Sequence, residues 1–135
     1  MIYLDSAAVV KLIRREHGST ELVAWLGEHS DEALVASALI EVEVPRALRR
    51  SAPQALGGVP GALARLYLLE MDRTVRATAA AFADPGPRSL DAVHLATAQL
   101  IAGQPGAEAL TFVTYDLRLL KAAEGVGLTV ACPGA

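Results

Sequence analysis

Five acidic residues stand where apolar runs give way to helix-like stretches. Asp5 follows Ile2-Tyr3-Leu4, and Asp116 comes two positions after Thr111-Phe-Val-Thr114. Asp91 lies in the first turn of the stretch opened by Ser89. Glu41 and Glu43 lie in the first two turns of the stretch that follows Leu34-Val35-Ala36 and Ser37. Residues two apart on a helix differ in direction by about 200°, so only one of these two glutamates can face a given crevice. Carboxylates gathered in one crevice repel one another and raise one another's pKa unless a cation is present. Hard oxygen ligands of this kind suit Mg²⁺ or Mn²⁺. A plainer reading stands beside this one. Asp5, Asp91 and Asp116 all fall near helix N-termini, where an acid caps orphan amides and suits the helix dipole. Glu43 taken alone reads as a solvated helix residue.

The elements that must position these acids alternate between strand and helix. Ile2–Leu4, Leu34–Ala36, Leu69–Met71, Thr111–Thr114 and Leu128–Ala131 read as short strands. Helical spacing is expected over Ser6–Glu16, Ser19–Gly27, Ala38–Arg50, Leu63–Leu69, Arg73–Phe82, Ser89–Ile101 and Asp116–Glu124. Ser37 and Ser89 have the chemistry of N-caps. Pro45 inside the third helix predicts a kink. Ser51–Gly61, rich in glycine and proline, reads as a loop. Strands alternating with helices argue for an α/β fold, a parallel sheet with helices on both faces. Ligands of such sheets bind beyond the carboxyl ends of the strands, near a topological switch point, which is where Asp5 and Asp116 are expected.

Composition narrows the function classes. The 135 residues fit one domain spanning 1–135. Hydrophobic residues make up 53%, which excludes a disordered chain, whereas 4% aromatic content argues against a base-stacking platform. A single cysteine, Cys132, excludes an internal disulfide and a multi-cysteine zinc site, and nothing nearby in sequence would activate it. The net charge of −3 assigns any nucleic-acid contact to local arginines or to metal ions rather than to a basic surface. No apolar run approaches a membrane span, and the first residues lack the pattern of a secretory signal. A cytoplasmic location is therefore expected.

Taken together, the motifs resemble those of PIN-domain proteins, most closely VapC-type toxins of type II toxin–antitoxin systems. The resemblance is carried by Tyr3-Leu4-Asp5-Ser6-Ala7-Ala8-Val9-Val10-Lys11-Leu12, and by Val35-Ala36-Ser37-Ala38-Leu39 running into Glu43-Val44-Pro45-Arg46-Ala47. It continues in Arg88-Ser89-Leu90-Asp91-Ala92-Val93-His94-Leu95-Ala96-Thr97-Ala98 and in Thr114-Tyr115-Asp116-Leu117-Arg118-Leu119. Each motif is weak alone, and the ordered set spans nearly the whole chain. The resemblance implies a small PIN-like domain with parallel strand order 3-2-1-4-5. It implies that Asp5, Glu43, Asp91 and Asp116 are the catalytic acids and the metal ligands. Glu43 is preferred to Glu41 by its step to Arg46-Ala47, and the second glutamate leaves that assignment open. The implied cofactor is Mg²⁺, with Mn²⁺ as a substitute. The implied chemistry is metal-assisted hydrolysis of RNA phosphodiester bonds, with no side-chain nucleophile. The implied partners are a cognate VapB-like antitoxin, an RNA substrate such as transfer or ribosomal RNA, and a second copy in a homodimer; no membrane is involved.

Other residues have both a bland and a functional reading. His94, one turn after Asp91, reads as a packed histidine or one that supports a ligand, rather than as a ligand itself. Ser6 and Thr114 fit hydrogen bonding to metal-bound water, and equally an N-cap and an ordinary strand residue. Arg88 and Arg118 adjoin the acids and are the best candidates for RNA phosphate contacts; surface solvation is the alternative for the arginines as a group. Trp25, with Leu22, Val23 and Leu26, forms an apolar strip that serves as core. In the resemblance this strip lines the groove taken by the antitoxin. Two other functions compete. A phosphorylatable receiver-like domain lacks support, because Asp5 stands alone after the first strand and no lysine follows Thr129-Val130. A non-catalytic PIN-like RNA- or partner-binding module is the main alternative, and the presence of all four acids counts against it.

Overall fold

A computed structural model describes residues 1–135. In chain order the elements are β1 (Ile2–Leu4), α1 (Ser6–Ile13), α2 (Ser19–Glu28), β2 (Leu34–Ser37), α3 (Ile40–Ser51) and a 3₁₀ turn at Pro53–Gly58. They continue with α4 (Val59–Leu63), β3 (Tyr67–Leu69), α5 (Arg73–Ala81), α6 (Ser89–Ala102), β4 (Thr111–Val113), α7 (Leu117–Gly125) and β5 (Thr129–Ala131). The five strands form one sheet in the order β3-β2-β1-β4-β5, with every pairing parallel. This is the α/β architecture and strand order expected from the sequence.

β1 is the middle strand, and Ile2, Tyr3 and Leu4 are all fully buried. Successive strand side chains point to opposite faces, so the run is apolar without alternation because both faces are covered. Ile2 and Leu4 join Val9, Leu22, Ile40, Val44 and Leu48 on the face covered by α1, α2 and α3. Tyr3 joins Val35, Leu95, Phe112 and Leu119 on the face covered by α6 and α7. A third, smaller cluster of Val75, Val93 and Ala96 fastens α5 to α6.

The order of connections reverses between β1 and β4, which pair in register from Ile2↔Thr111 to Leu4↔Val113. The chain leaves both strands at the same edge, side by side, and this is the switch point. Asp5 and Asp116 leave the sheet here.

Several local expectations are corrected. Ser51–Gly61 is not a loop: it holds the 3₁₀ turn and the start of α4. Its prolines sit in first-turn positions, where a missing N–H has no helical acceptor to lose. Leu63–Leu69 is not one helix, because α4 ends at Leu63 and Tyr67–Leu69 pairs with β2 as the sheet edge, two residues earlier than the expected strand. Ser37 ends β2 instead of capping at Ala38; its hydroxyl accepts from Leu39 N–H at 3.1 Å, and α3 begins at Ile40. Ser89 is the first residue of α6, and Arg88, which makes no side-chain cap bond, precedes it. Asp5, not Ser6, caps α1. Pro45 lies inside α3, as expected.

Candidate active site

The site is assembled at the carboxyl edge of the sheet. Glu43 from α3, Asp91 from α6 and Asp116 at the start of α7 line one open depression of about 460 Å³, together with Arg88, Ser89, Leu90 and Arg118. Glu41 is exposed and does not line it, whereas Glu43 is half-buried and does. Three of the four acids singled out from the sequence thus meet around one opening, and so do both arginines.

The fourth acid, Asp5, lies in the interior, only 4% exposed. Both of its carboxylate oxygens are held. Oδ1 accepts Ala8 N–H at 2.9 Å, which caps α1, and Oδ2 accepts the Thr114 hydroxyl at 2.6 Å. Burial pushes its pKa above the ordinary value, and the charge of Asp91 adds to the rise. The Thr114 and Ala8 hydrogen bonds and the charge of His94 oppose it. Thr114 is fully buried, and its hydroxyl oxygen also accepts Asp116 N–H at 3.2 Å. One threonine therefore ties the acid after β1 to the acid after β4.

Asp116 caps α7 through Arg118 N–H at 2.9 Å and Leu119 N–H at 3.4 Å, both to Oδ1. Its Oδ2 lies 3.7 Å from Arg118 Nη2, a pair whose members are 35% and 55% exposed and so exchange readily with solvent. The capping reading and the site reading are both satisfied here, because one oxygen caps while the other faces outward.

His94 is buried behind the site, only 1% exposed. Its Nε2 lies 2.6 Å from Glu43 Oε1, and its Nδ1 lies 2.8 Å from the Tyr3 hydroxyl. Both nitrogens are engaged, so the ring is a support for Glu43 and not a free ligand. The sequence reading missed Tyr3, which counts there only as apolar strand. A tyrosine within a fully buried strand must find a partner for its hydroxyl, and that requirement was the available signal. Ser6 stands in the first turn of α1 without a hydrogen bond of its own to the acids.

No three His, Cys, Asp or Glu side chains converge tightly enough to enclose a metal ion as they stand. The donor set is nevertheless all oxygen, three carboxylates around an open depression and a fourth, Asp5, joined to Asp116 through Thr114. That chemistry fits a hard divalent cation, which commonly keeps several waters and takes only one or two carboxylates. Cys132 is half-buried in the C-terminal segment and does not line the depression. Burial pushes its thiol up, against the opposing charge of Lys11, which agrees with an inert residue. No helix is long and apolar enough to cross a membrane.

Comparison with known proteins adds three kinds of likeness. A model of the PIN domain matches residues 2–125. Ribonuclease VapC35 of Mycobacterium tuberculosis (strain ATCC 25618 / H37Rv) is 49% identical over 134 residues, covering 99% of this chain and 98% of the relative. Ribonuclease VapC46 of the same strain is 40% identical over 132 residues, covering 98% of this chain and 97% of the relative. FitAcB from Neisseria gonorrhoeae shares the fold with a TM-score of 0.67 at 22% identity, covering 96% of both chains. So does VapBC2 from Rickettsia felis, solved bound to a DNA fragment from its promoter, with a TM-score of 0.63 at 16% identity and coverage of 98% and 99%.

Proposed function

The chain belongs to the PIN domain family, and on that premise we propose that it is a metal-dependent endoribonuclease, the toxin of a type II toxin–antitoxin pair. The observation that carries this reading is the meeting of Glu43, Asp91 and Asp116, from three separate helices, around one depression flanked by Arg88 and Arg118. The curated relatives that match over nearly their whole length carry the name ribonuclease VapC, which supports RNA as the substrate.

Glu43, Asp91 and Asp116 would hold the cation, with Asp5, joined to Asp116 through Thr114, as the fourth acid of the set. Mg²⁺ is the cofactor proposed, and Mn²⁺ its substitute, because the donors are hard oxygens. When bound, a divalent cation polarises the phosphate and lowers the pKa of a water, which supplies the nucleophile. The protein's own part is positional. Arg88 and Arg118 hold phosphate oxygens by charge-assisted hydrogen bonds, and Arg118 exchanges its exposed pairing with Asp116 for the substrate. An acid of the cluster takes the proton of the attacking water. Hydrolysis leaves a 5′-phosphate and a 3′-hydroxyl. The proposed protein partners are a VapB-like antitoxin and a second copy of the chain, and the substrate, transfer or ribosomal RNA, places its work in the cytoplasm. The whole of residues 1–135 acts as one domain.

The test is cleavage of total RNA by the purified chain without partner, in Mg²⁺ or Mn²⁺, with EDTA and Asp5→Ala as controls. Discrete fragments that disappear in both controls are expected. A folded protein that cleaves nothing in either metal would overturn the enzymatic reading in favour of a binding module.

A further inference from the structure

Three side chains from three elements form a line that ends at the proposed metal site: Tyr3 on β1, His94 on α6 and Glu43 on α3. The start of this line is fixed by packing. Tyr3 is fully buried, its ring stacked on Phe112 at 5.2 Å and 7° and set edge-on to His94 at 5.9 Å and 76°. The hydroxyl therefore has no room to wander. The imidazole is equally enclosed, so each ring nitrogen depends on its single protein partner. A neutral ring has one N–H donor and one acceptor nitrogen. The Tyr3 hydroxyl donates to Nδ1, which leaves the proton on Nε2, aimed at Glu43 Oε1. The opposite tautomer would set a lone pair against a carboxylate 2.6 Å away. A doubly protonated ring donates to Glu43 as well, so the direction of this bond is the same in either charge state. Glu43 Oε1 is thereby held, while Oε2 has no hydrogen bond within the chain, and Glu43 lines the depression.

We propose that His94 is a positioning residue for Glu43, with Tyr3 fixing the tautomer and orientation of its ring. The proposal rests on the reading of Glu43 as a ligand of a divalent cation. It also accounts for the choice between the two glutamates on α3, because Glu43 is held by a buried donor and Glu41 is exposed.

The test measures Mn²⁺ affinity of the full chain by calorimetry, without RNA, for the wild type and for Glu43→Gln, His94→Leu, His94→Gln and Tyr3→Phe, with circular dichroism as the folding control. Loss of a supporting partner behind a metal ligand costs about 10- to 100-fold in affinity, and His94→Leu should fall in that range. His94→Gln places an amide N–H near the Nε2 position and should recover most of that loss, which a purely space-filling role would not require. Tyr3→Phe should weaken binding less than His94→Leu. Wild-type affinity in a folded His94→Leu, together with weak binding in Glu43→Gln, would overturn the role of His94 alone. Wild-type affinity in Glu43→Gln would overturn the ligand reading and this proposal with it. Should His94→Leu not fold, Tyr3→Phe decides: weakened Mn²⁺ binding supports the line from β1, and unchanged binding overturns it.

Discussion

The Thr114 hydroxyl donates to Asp5 Oδ2 at 2.6 Å across 109 positions of sequence, and the Thr114 hydroxyl oxygen in turn accepts Asp116 N–H. The bond exists because β1 and β4 are paired neighbours, which puts the residue after Leu4 beside the residue after Val113. Thr114→Val keeps the shape and removes the donor, leaving a buried carboxylate with only Ala8 N–H. The expected cost is about 1–3 kcal/mol of stability, read as a lower denaturant midpoint, with slower RNA cleavage. Thr114→Ser should restore most of both. Equal stability of the valine variant and the wild type would show that this bond carries no net weight.

Asp5 also predicts a pH dependence. Burial raises its pKa in the folded chain, so without metal the folded state holds the Asp5 proton more tightly than the unfolded state does. That contribution to stability is fully present below the unfolded value of about 3.9 and is lost as pH rises through the raised folded value. Asp5→Asn stays neutral throughout. In EDTA its melting temperature should match the wild type in acid and exceed it progressively toward neutral pH, while RNA cleavage in Mg²⁺ is abolished. A neutral-pH melting temperature below that of the wild type would count against a charge penalty at this position.

Most of the architecture was legible, for physical reasons that also explain the failures. Ile2-Tyr3-Leu4 and Thr111-Phe-Val read as buried strands because a parallel sheet covered on both faces tolerates no polar alternation. Asp5, Asp91 and Asp116 could be placed because Asp5 and Asp116 come shortly after such strands and Asp91 falls in the first turn of a helix. Tyr67–Leu69 was misread, because an edge strand of three residues carries no period of its own and is defined only by its pairing with β2. The 3₁₀ turn at Pro53–Gly58 was hidden by prolines and glycines that favour turns as readily as helix starts. Glu43 and Glu41 could not be separated by spacing alone, since what distinguishes them is His94, 51 positions away. The Tyr3–His94 bond spans 91 positions, so a tyrosine in a buried strand signals that its hydroxyl needs a partner but not which residue supplies it.

Arg88 and Arg118 predict how RNA binding responds to salt. Both are exposed and line the depression with the acids. In the cleavage-dead Asp5→Asn background, Arg88→Ala with Arg118→Ala should weaken RNA binding across sequences. The slope of log affinity against log salt should become shallower by about 0.7 for each single-strand phosphate that the protein no longer neutralises. An unchanged slope would place the phosphate path elsewhere on the surface.

Trp25 is the single tryptophan of the chain and therefore reports on its own surroundings. It lies on α2, half-buried, with its ring 4.2 Å from that of His29 at a tilt of 34° and its inner side packed against the core beneath β1. A ring covered on one side and open on the other is the form of an interface anchor, because a partner can complete its burial without first exposing it. If the antitoxin occupies this face, complex formation should shift Trp25 emission to the blue, as its open side loses water. Trp25→Ala should weaken the complex by about 2 kcal/mol or more, on the scale of an aromatic hot spot. The same substitution also removes packing from the core, so its melting temperature must be measured alongside. A complex seen by gel filtration with no change in Trp25 emission would assign the antitoxin to another face and leave this ring to the core.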